Sequence, residues 1–419
     1  MRVDLRYGEG SLPLELNTSV ECIAPQTIDV LPDASSELLR VLETPIDSQP
    51  LSKLVSDANS ISIVVNHIEH PEFVRNLLHF LLNSVETFSF NPDDITIIYP
   101  VDSEQRITSS EIDDLLGSPE SRGHSLVLHN PRSKEGLTLV GETPSNSTPV
   151  LVNEKFLLAD LKIGLGEIRP DVFVGATGGR MSVLPYVAGN RTITRNAKLR
   201  TTRDFGPFAL TTPACVDMTE ASQLGGLDLI VNYVSDWKGN IAHILAGNPY
   251  SSWESGVGTA KALSNADFTR RADIAFVSSG GFPYDRTLYE AITSIYAAYD
   301  VTENGGAIVL VAECRNGVGP KGFVRGISEF SSKNEISVAS ETGFEVGFDK
   351  AQFFWNVLTS RKLVICSQLR TSFVEEQLRC TAVRDPQDGL EVAKHMLASN
   401  KKIAVIHDGI RTVPHFRNH

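Results

Sequence analysis

From Ser60 onward the chain alternates short apolar runs with stretches whose apolar residues recur at helical spacing. Ile61-Ser62-Ile63-Val64-Val65 reads as a buried strand, and Phe73, Leu77, Leu78, Leu81 and Leu82 then fall on one helix face. Ile95-Thr96-Ile97-Ile98-Tyr99 follows the Asn91-Pro92-Asp93 turn as a second strand, and a polar loop leads to a short helix near Ser109 to Leu116. Ser125 to Leu128 makes a third strand. Beyond the Ser/Thr/Pro-rich loop at Thr143 to Pro149, Leu161-Lys162-Ile163-Gly164 reads as another strand, delivering the chain into glycine-rich sequence. Such alternation predicts a mainly parallel sheet flanked by helices.

Leu229-Ile230-Val231-Asn232-Tyr233-Val234 and Ile241-Ala242-His243-Ile244-Leu245 flank a polar turn, Asp236-Trp237-Lys238-Gly239, and so predict an antiparallel hairpin. A helix is expected around Ser255 to Ala266. A second alternating series then begins, with Ile274-Ala275-Phe276-Val277, Ala307 to Val311, Leu363-Val364-Ile365 and Ile403 to Ile406 as strands. The pattern therefore predicts two α/β domains, residues 1–266 and 267–406. A tail, 407–419, is expected to pack back on the first domain.

Composition narrows the class. The 419 residues carry 38 Lys plus Arg against 51 Asp plus Glu, a formal net charge of −13. That balance argues against a broad nucleic-acid-binding surface, so any anion site must be local. No apolar stretch reaches the length of a membrane span, and Met1-Arg2-Val3-Asp4-Leu5-Arg6 lacks a signal-peptide core, so a cytoplasmic protein without membrane partners is expected. Cys22, Cys215, Cys314, Cys366 and Cys380 form an odd set without a CxxC pair, which fits reduced thiols.

In open α/β sheets ligands sit beyond the carboxyl ends of strands, and several loops there carry candidate chemistry. Gly164 to Met181 contains glycines at 175, 178 and 179 that can let the backbone approach an anion, or simply make a tight turn. It lacks the Rossmann and P-loop spacings. His67-Ile68-Glu69-His70-Pro71 follows the first strand; its imidazoles could exchange protons, hold a metal with a third ligand from Asp171 or Asp102, or be ordinary loop histidines. Asp102-Ser103-Glu104-Gln105-Arg106 joins acid, amide and guanidinium in one loop. Ser278 to Asp285 is a small-residue loop before a helix, for which Asp285 is a reasonable cap. Cys314 reads as a packed thiol, and Trp237 and Trp253 as packing or loop anchors. No GxSxG elbow occurs.

Together these segments resemble the nickel-dependent lactate racemase family of 2-hydroxy-acid racemases and epimerases. The resemblance runs through Tyr7-Gly8-Glu9-Gly10, Pro45 to Leu51, Pro170 to Gly179, Leu184-Pro185 and Gly189. It continues through Asp217 to Ala221, Gly226-Leu227-Asp228, Ala246-Gly247, Ser279 to Asp285, Leu288-Tyr289 and Ala312-Glu313-Cys314. It implies two α/β domains with a ligand cleft between them, and an isomerase holding a nickel-pincer nucleotide. The family's tethering lysine corresponds to Met181, and its nickel-ligating histidine, after a Thr-Ile-x-x-Asn stretch, to Ala197. The family's two proton-transfer histidines correspond to Asp171 and Gln105, and its Asp-x-x-Arg pair to His67 and His70. On the helix after Asp285, a family glutamine and lysine correspond to Glu290 and Thr293.

Three readings follow. The chain acts on or binds a small 2-hydroxy acid or related anionic metabolite, with Asp171, His67, His70 and Gln105 as the acid–base set. Arg106, Arg180, Glu290 and Asp285 would then hold substrate, and Gly175, Thr177, Gly178, Gly179 and Met181 a nucleotide. Alternatively it is a non-catalytic ligand-binding or regulatory homologue, or a metal-assisted enzyme using His67, His70 and Asp171.

Overall fold

The computed structural model describes the chain except residues 18–19, 28–30, 66–69, 89, 102–107, 202–204, 398–401 and 418–419, and the side chains of 109 and 121. The described chain divides into two compact units. The middle unit comprises residues 28–169 and 173–261, and the terminal unit comprises 1–27, 170–172 and 262–419.

The middle unit is built on a six-stranded sheet in the order Ile241–Gly247, Leu229–Ser235, Leu161–Glu167, Ile61–Val65, Ile95–Pro100, Ser125–His129. All neighbours are parallel except the predicted hairpin, in which Tyr233 pairs with Ile244. Every residue of Ile61–Val65 is buried, as expected of a strand covered on both faces. The helix Pro71–Glu86 starts with proline in its first turn and lays Val74, Leu77, Leu78, Leu81, Leu82 and Val85 into the core with Ile63, Ile97 and Leu165. The Thr143–Pro149 loop turns a separate hairpin, Leu137–Glu142 against Pro149–Asn153.

The terminal unit carries an all-parallel sheet in the order Thr381–Val383, Lys362–Cys366, Thr302–Val311, Ala272–Ser278, Ile403–Ile406, Val20–Ile23. Its edge strand comes from the start of the chain. The first 27 residues, expected within a 1–266 domain, thus group with the second half. An antiparallel hairpin, Arg2–Tyr7 with Gly10–Glu15, buries Val3, Leu5 and Leu14 in the same core as Phe276, Val309 and Val405. The helix expected around Ser255 to Ala266 runs from Ser251 to Ser264, and the chain then forms a strand, Asn265–Phe268. Val413–Phe416 of the tail pairs with that strand inside the terminal unit.

All five cysteines are free, and no helix among the described residues is long and apolar enough to cross a membrane. Two glycines give the fold a direct test. Gly247 has φ +149° and a Cβ there would sit 2.2 Å from the Ile46 carbonyl oxygen, whereas Gly226, a left-handed helix cap at φ +69°, faces open space. Gly226→Ala should cost about 1 kcal/mol of backbone strain alone, and Gly247→Ala about 3 kcal/mol because backbone must move as well. Urea-unfolding midpoints check this, and equal costs would contradict it.

Candidate functional site

In the middle unit the strands Ile61–Val65, Ile95–Pro100 and Ser125–His129 extend the sheet one way in chain order, and Leu161–Glu167 and Leu229–Ser235 extend it the other. The order therefore reverses between Ile61–Val65 and Leu161–Glu167. Chains leaving two such strands depart to opposite faces, so a crevice opens beyond their carboxyl ends. The described residues found there are His70, and Glu167 with the glycine-rich loop.

His70 lies directly before the helix Pro71–Glu86 and makes no side-chain capping bond to it. Its Nε2 is 3.7 Å from Glu167 Oε1, and its ring meets Tyr233 edge-on at 5.8 Å. Glu167 is only 4% exposed. Ser235 Oγ, from the end of the neighbouring strand, donates to Glu167 Oε1, and Arg169 Nε stands 4.0 Å from Oε2. An imidazole, a carboxylate, a hydroxyl and a guanidinium from three segments therefore meet at the reversal point. Proton exchange with a polar ligand is within the chemistry of this group.

The glycine-rich loop is pinned to the same strand end. Thr177 Oγ1 donates to the Glu167 carbonyl at 2.8 Å and accepts from Arg169 N–H at 3.0 Å. At Gly178, φ +81°, a Cβ would fall 2.6 Å from Ile168 Cγ1 and 3.0 Å from the Glu167 carbonyl oxygen; at Gly179 it would fall 2.8 Å from the Trp253 ring. Only glycine permits this approach. Gly179 N–H donates to Asn232 Oδ1, and Trp253 Nε1–H to the Thr177 carbonyl. Gly175, also at positive φ, receives Phe208 N–H on its carbonyl. The tight-turn reading thus describes the loop's own geometry, with these glycines packed inside the middle unit.

Arg180, expected at substrate, is 3% exposed. Its guanidinium lies 3.9 Å over the Trp253 ring and donates to the Val174 carbonyl and Cys215 Sγ. Trp253 is the anchor its sequence suggested. Asp171 is half-buried on the short extended segment Pro170–Asp171. His67, Gln105, Arg106 and Asp102 lie outside the described residues. His129 is buried; its Nε2 faces the Ala188 carbonyl at 3.0 Å and its Nδ1 faces Asn153 Nδ2 at 3.1 Å.

The terminal unit has a reversal point of its own, between Ala272–Ser278 and Ile403–Ile406. Here the protein's own groups fill the space. Asp408 accepts from Ile410 and Arg411 N–H and pairs with the Arg411 guanidinium at 3.1 Å, while Arg411 also donates to Tyr284 OH. Asp408 and Arg411 are 1% and 2% exposed.

Asp285, expected as helix cap and substrate contact, is instead a buried latch. Its Oδ2 accepts from Gly8 N–H at 2.7 Å and Glu313 N–H at 3.0 Å, tying the N-terminal hairpin turn to a strand exit. The helix cap is Thr287, and Glu290, expected at substrate, closes a capping box with it and pairs with Arg286. Cys314 is a packed thiol, held far above the ordinary thiol range by burial and then by Asp285, Glu290 and Glu313.

The sequence reading passed over Glu167, Ser235 and Arg169. Glu167 was visible as an acid closing a strongly apolar strand, a place where burial forces a carboxylate to find partners.

The described residues contain no group of three His, Cys, Asp or Glu suited to a metal. The donor chemistry at the two positions implied by the family resemblance does not fit a tethered nickel-pincer nucleotide. The Met181 thioether carries no amine for an amide-type attachment. Ala197, 1% exposed on the helix Asn190–Leu199, has no lone pair to offer a metal.

These features define a doubly wound α/β protein with two sheet units, the middle one of which sets a partly exposed imidazole against a buried carboxylate at its reversal point. The lactate racemase N-terminal domain model matches residues 7–204, and the lactate racemase C-terminal domain model matches residues 268–413. The chain belongs to the lactate racemase family. It is 26% identical over 383 residues to a lactate racemase of Thermoanaerobacterium thermosaccharolyticum, covering 89% of each chain. It is 25% identical over 387 residues to one of Lactiplantibacillus plantarum, again covering 89% of each. The fold matches the lactate racemase apoprotein structure from T. thermosaccharolyticum with a TM-score of 0.86 at 23% identity, covering 99% of this chain and 100% of that one. A Thermotoga maritima protein matches at TM-score 0.69 and 15% identity, covering 92% and 99%.

The misfit at residues 181 and 197 has a measurable consequence. Protein purified from cells supplied with nickel should show the intact mass of the unmodified chain and nickel well below stoichiometric. A stoichiometric nickel–nucleotide adduct would refute it.

Proposed function

We propose that this protein binds a small 2-hydroxy acid or related anionic metabolite and removes and returns the proton at its C2 carbon, as a member of the isomerase family that has rewritten its reaction residues. The observation that carries this reading is His70 set against the buried Glu167 carboxylate where the middle sheet reverses its strand order. Open parallel sheets bind ligands there, and a buried acid beside an imidazole is a proton-handling pair.

In this reading His70 and Asp171 are the proton-carrying groups. One, as the base, removes the proton at C2, the electron pair passing into the carboxylate as an enediolate. The other, as the acid, delivers a proton to the opposite face, so the C–H bond broken is remade and no net proton is gained or lost. The sequence also offers Gln105, His67 and Arg106, outside the described residues, as further polar and cationic groups for the ligand. The glycine-rich loop around Gly178 holds the strand exits in register. In this reading the protein works in the cytoplasm.

A second reading, a ligand-binding homologue without turnover, is favoured by one set of observations. Arg180 stacks on Trp253, Asp285 holds two backbone amides and Glu290 closes a capping box, so three groups expected at the ligand are engaged within the fold.

Calorimetric titration with a panel of 2-hydroxy acids, followed by chiral chromatography of each incubated acid, separates the readings. The proposal expects saturable binding to at least one acid and its stereochemical interconversion, reduced about 100-fold or more in His70→Ala and in Asp171→Asn. Binding without interconversion supports the second reading. Neither binding nor turnover across the panel overturns both.

A further inference from the structure

Glu167 sits at the carboxyl end of the central strand Leu161–Glu167, and its side chain is 1% exposed. Removing a carboxylate from water is costly unless its charge is answered nearby, so a fold that keeps one there must hold it with specific groups. Ser235 Oγ–H donates to Oε1, the oxygen that also faces His70 Nε2 at 3.7 Å; Arg169 Nε stands on the side of Oε2. Ser235 therefore fixes the carboxylate from the neighbouring strand while the carboxylate faces the imidazole.

The ring is confined from another side as well. His70 meets Tyr233 edge-on at 71°, and Tyr233 is in turn held by Phe73 at 5.0 Å, also at 71°. Tyr233 is fully buried, so the wall against which the imidazole rests is part of the core. Between a rigid aromatic edge and a fixed carboxylate, the two ring nitrogens are not equivalent. Nε2 faces an acceptor.

We infer that Glu167 is a positioning residue, whose carboxylate, held by Ser235, orients the His70 ring and places its proton on Nε2. The assignment rests on the reading of His70 as a proton-carrying group. A carboxylate behind an imidazole selects one tautomer and stabilises the imidazolium formed when the other nitrogen accepts a proton. At 3.7 Å the pair stands at ion-pair rather than hydrogen-bond distance, so the carboxylate acts on the ring through its charge. A merely structural Glu167 would staple Ser235 to the strand exit, a task that glutamine performs equally well through its own carbonyl oxygen. The negative charge serves the orienting role and the Arg169 contact, and of these only the first is read by the tautomer ratio.

The experiment is nitrogen-15 NMR of the full chain carrying ring-labelled histidine, with the His70 signals identified by their loss in His70→Asn. In the wild type the Nε2–H tautomer should dominate by about tenfold, the preference expected from a charge-assisted contact. In Glu167→Gln the tautomers should approach equal populations while the urea-unfolding midpoint stays close to wild type. Ser235→Ala, which loosens the carboxylate without neutralising it, should move the ratio the same way by a smaller factor, and it carries the test if Glu167→Gln does not fold. An unchanged tautomer ratio in a folded Glu167→Gln protein overturns the inference. A Glu167-dependent ratio in a protein that binds none of the hydroxy acids leaves the positioning role standing and removes the proposed function alone.

Discussion

The constraint on which the site depends is the burial of a charged carboxylate where a parallel sheet changes direction. Strands covered on both faces tolerate few polar groups, and Leu161–Glu167 is almost wholly buried until its last residue, where the chain emerges beyond the sheet. Glu167 is held inside that limit, so its partners must come to it. They arrive from one neighbouring strand as Ser235, from the start of the helix Pro71–Glu86 as His70, and from its own exit as Arg169. The same residue's carbonyl receives the Thr177 hydroxyl, which ties the glycine-rich loop to the strand end. One position thus sets the geometry of three loops.

The two sheets resolve the same topological problem differently. In the terminal unit the reversal point holds Asp408, Arg411 and Tyr284, whose charges and hydroxyl are matched within the fold. A buried ion pair of this kind gains little net stability, but removing one partner leaves an uncompensated charge, so the arrangement fixes one conformation. In the middle unit the corresponding groups are an imidazole and a carboxylate at ion-pair distance, with the histidine side chain one-fifth exposed. One reversal point is a finished polar core. The other keeps a titratable group within reach of solvent.

Periodicity made the central sheets legible, because strands buried on both faces are written as continuous apolar runs and the intervening helices repeat every three to four residues. The N-terminal hairpin was harder: Arg2-Val3-Asp4-Leu5 alternates polar and apolar residues, yet its partner strand contains Pro13, and nothing local shows that Val20–Ile23 completes a sheet nearly 400 residues away in sequence. Loops were harder still. Asp285 follows Gly280-Gly281 in the manner of a ligand loop, and the same sequence serves equally to receive the Gly8 amide. Glu290 three residues after Thr287 did carry a capping-box signature, which explains it without any ligand. Glu167 escaped notice because an acid at a strand exit ordinarily faces water; its burial depends on neighbours from strands distant in sequence.

Family membership leaves the side chains at 181 and 197 free to differ, because the fold draws on the backbone geometry of these segments rather than on those side chains. Gly178 and Gly179 keep the family's double glycine for a steric reason visible in this chain: a Cβ at either would strike Ile168, the Glu167 carbonyl or Trp253. That requirement persists whatever the loop holds. Met181, two residues on, meets no such demand; its N–H closes a turn onto the Gly178 carbonyl, a bond any non-proline residue can make, so its side chain is open to change. Ala197 likewise sits on a helix anchored by its neighbour Asn196, which bonds the Ala214 carbonyl and Asp217. The helix is therefore held in place without a histidine at 197. Backbone geometry fixed by glycine and asparagine preserves the scaffold, while the adjoining side chains can exchange one chemistry for another without unfolding it.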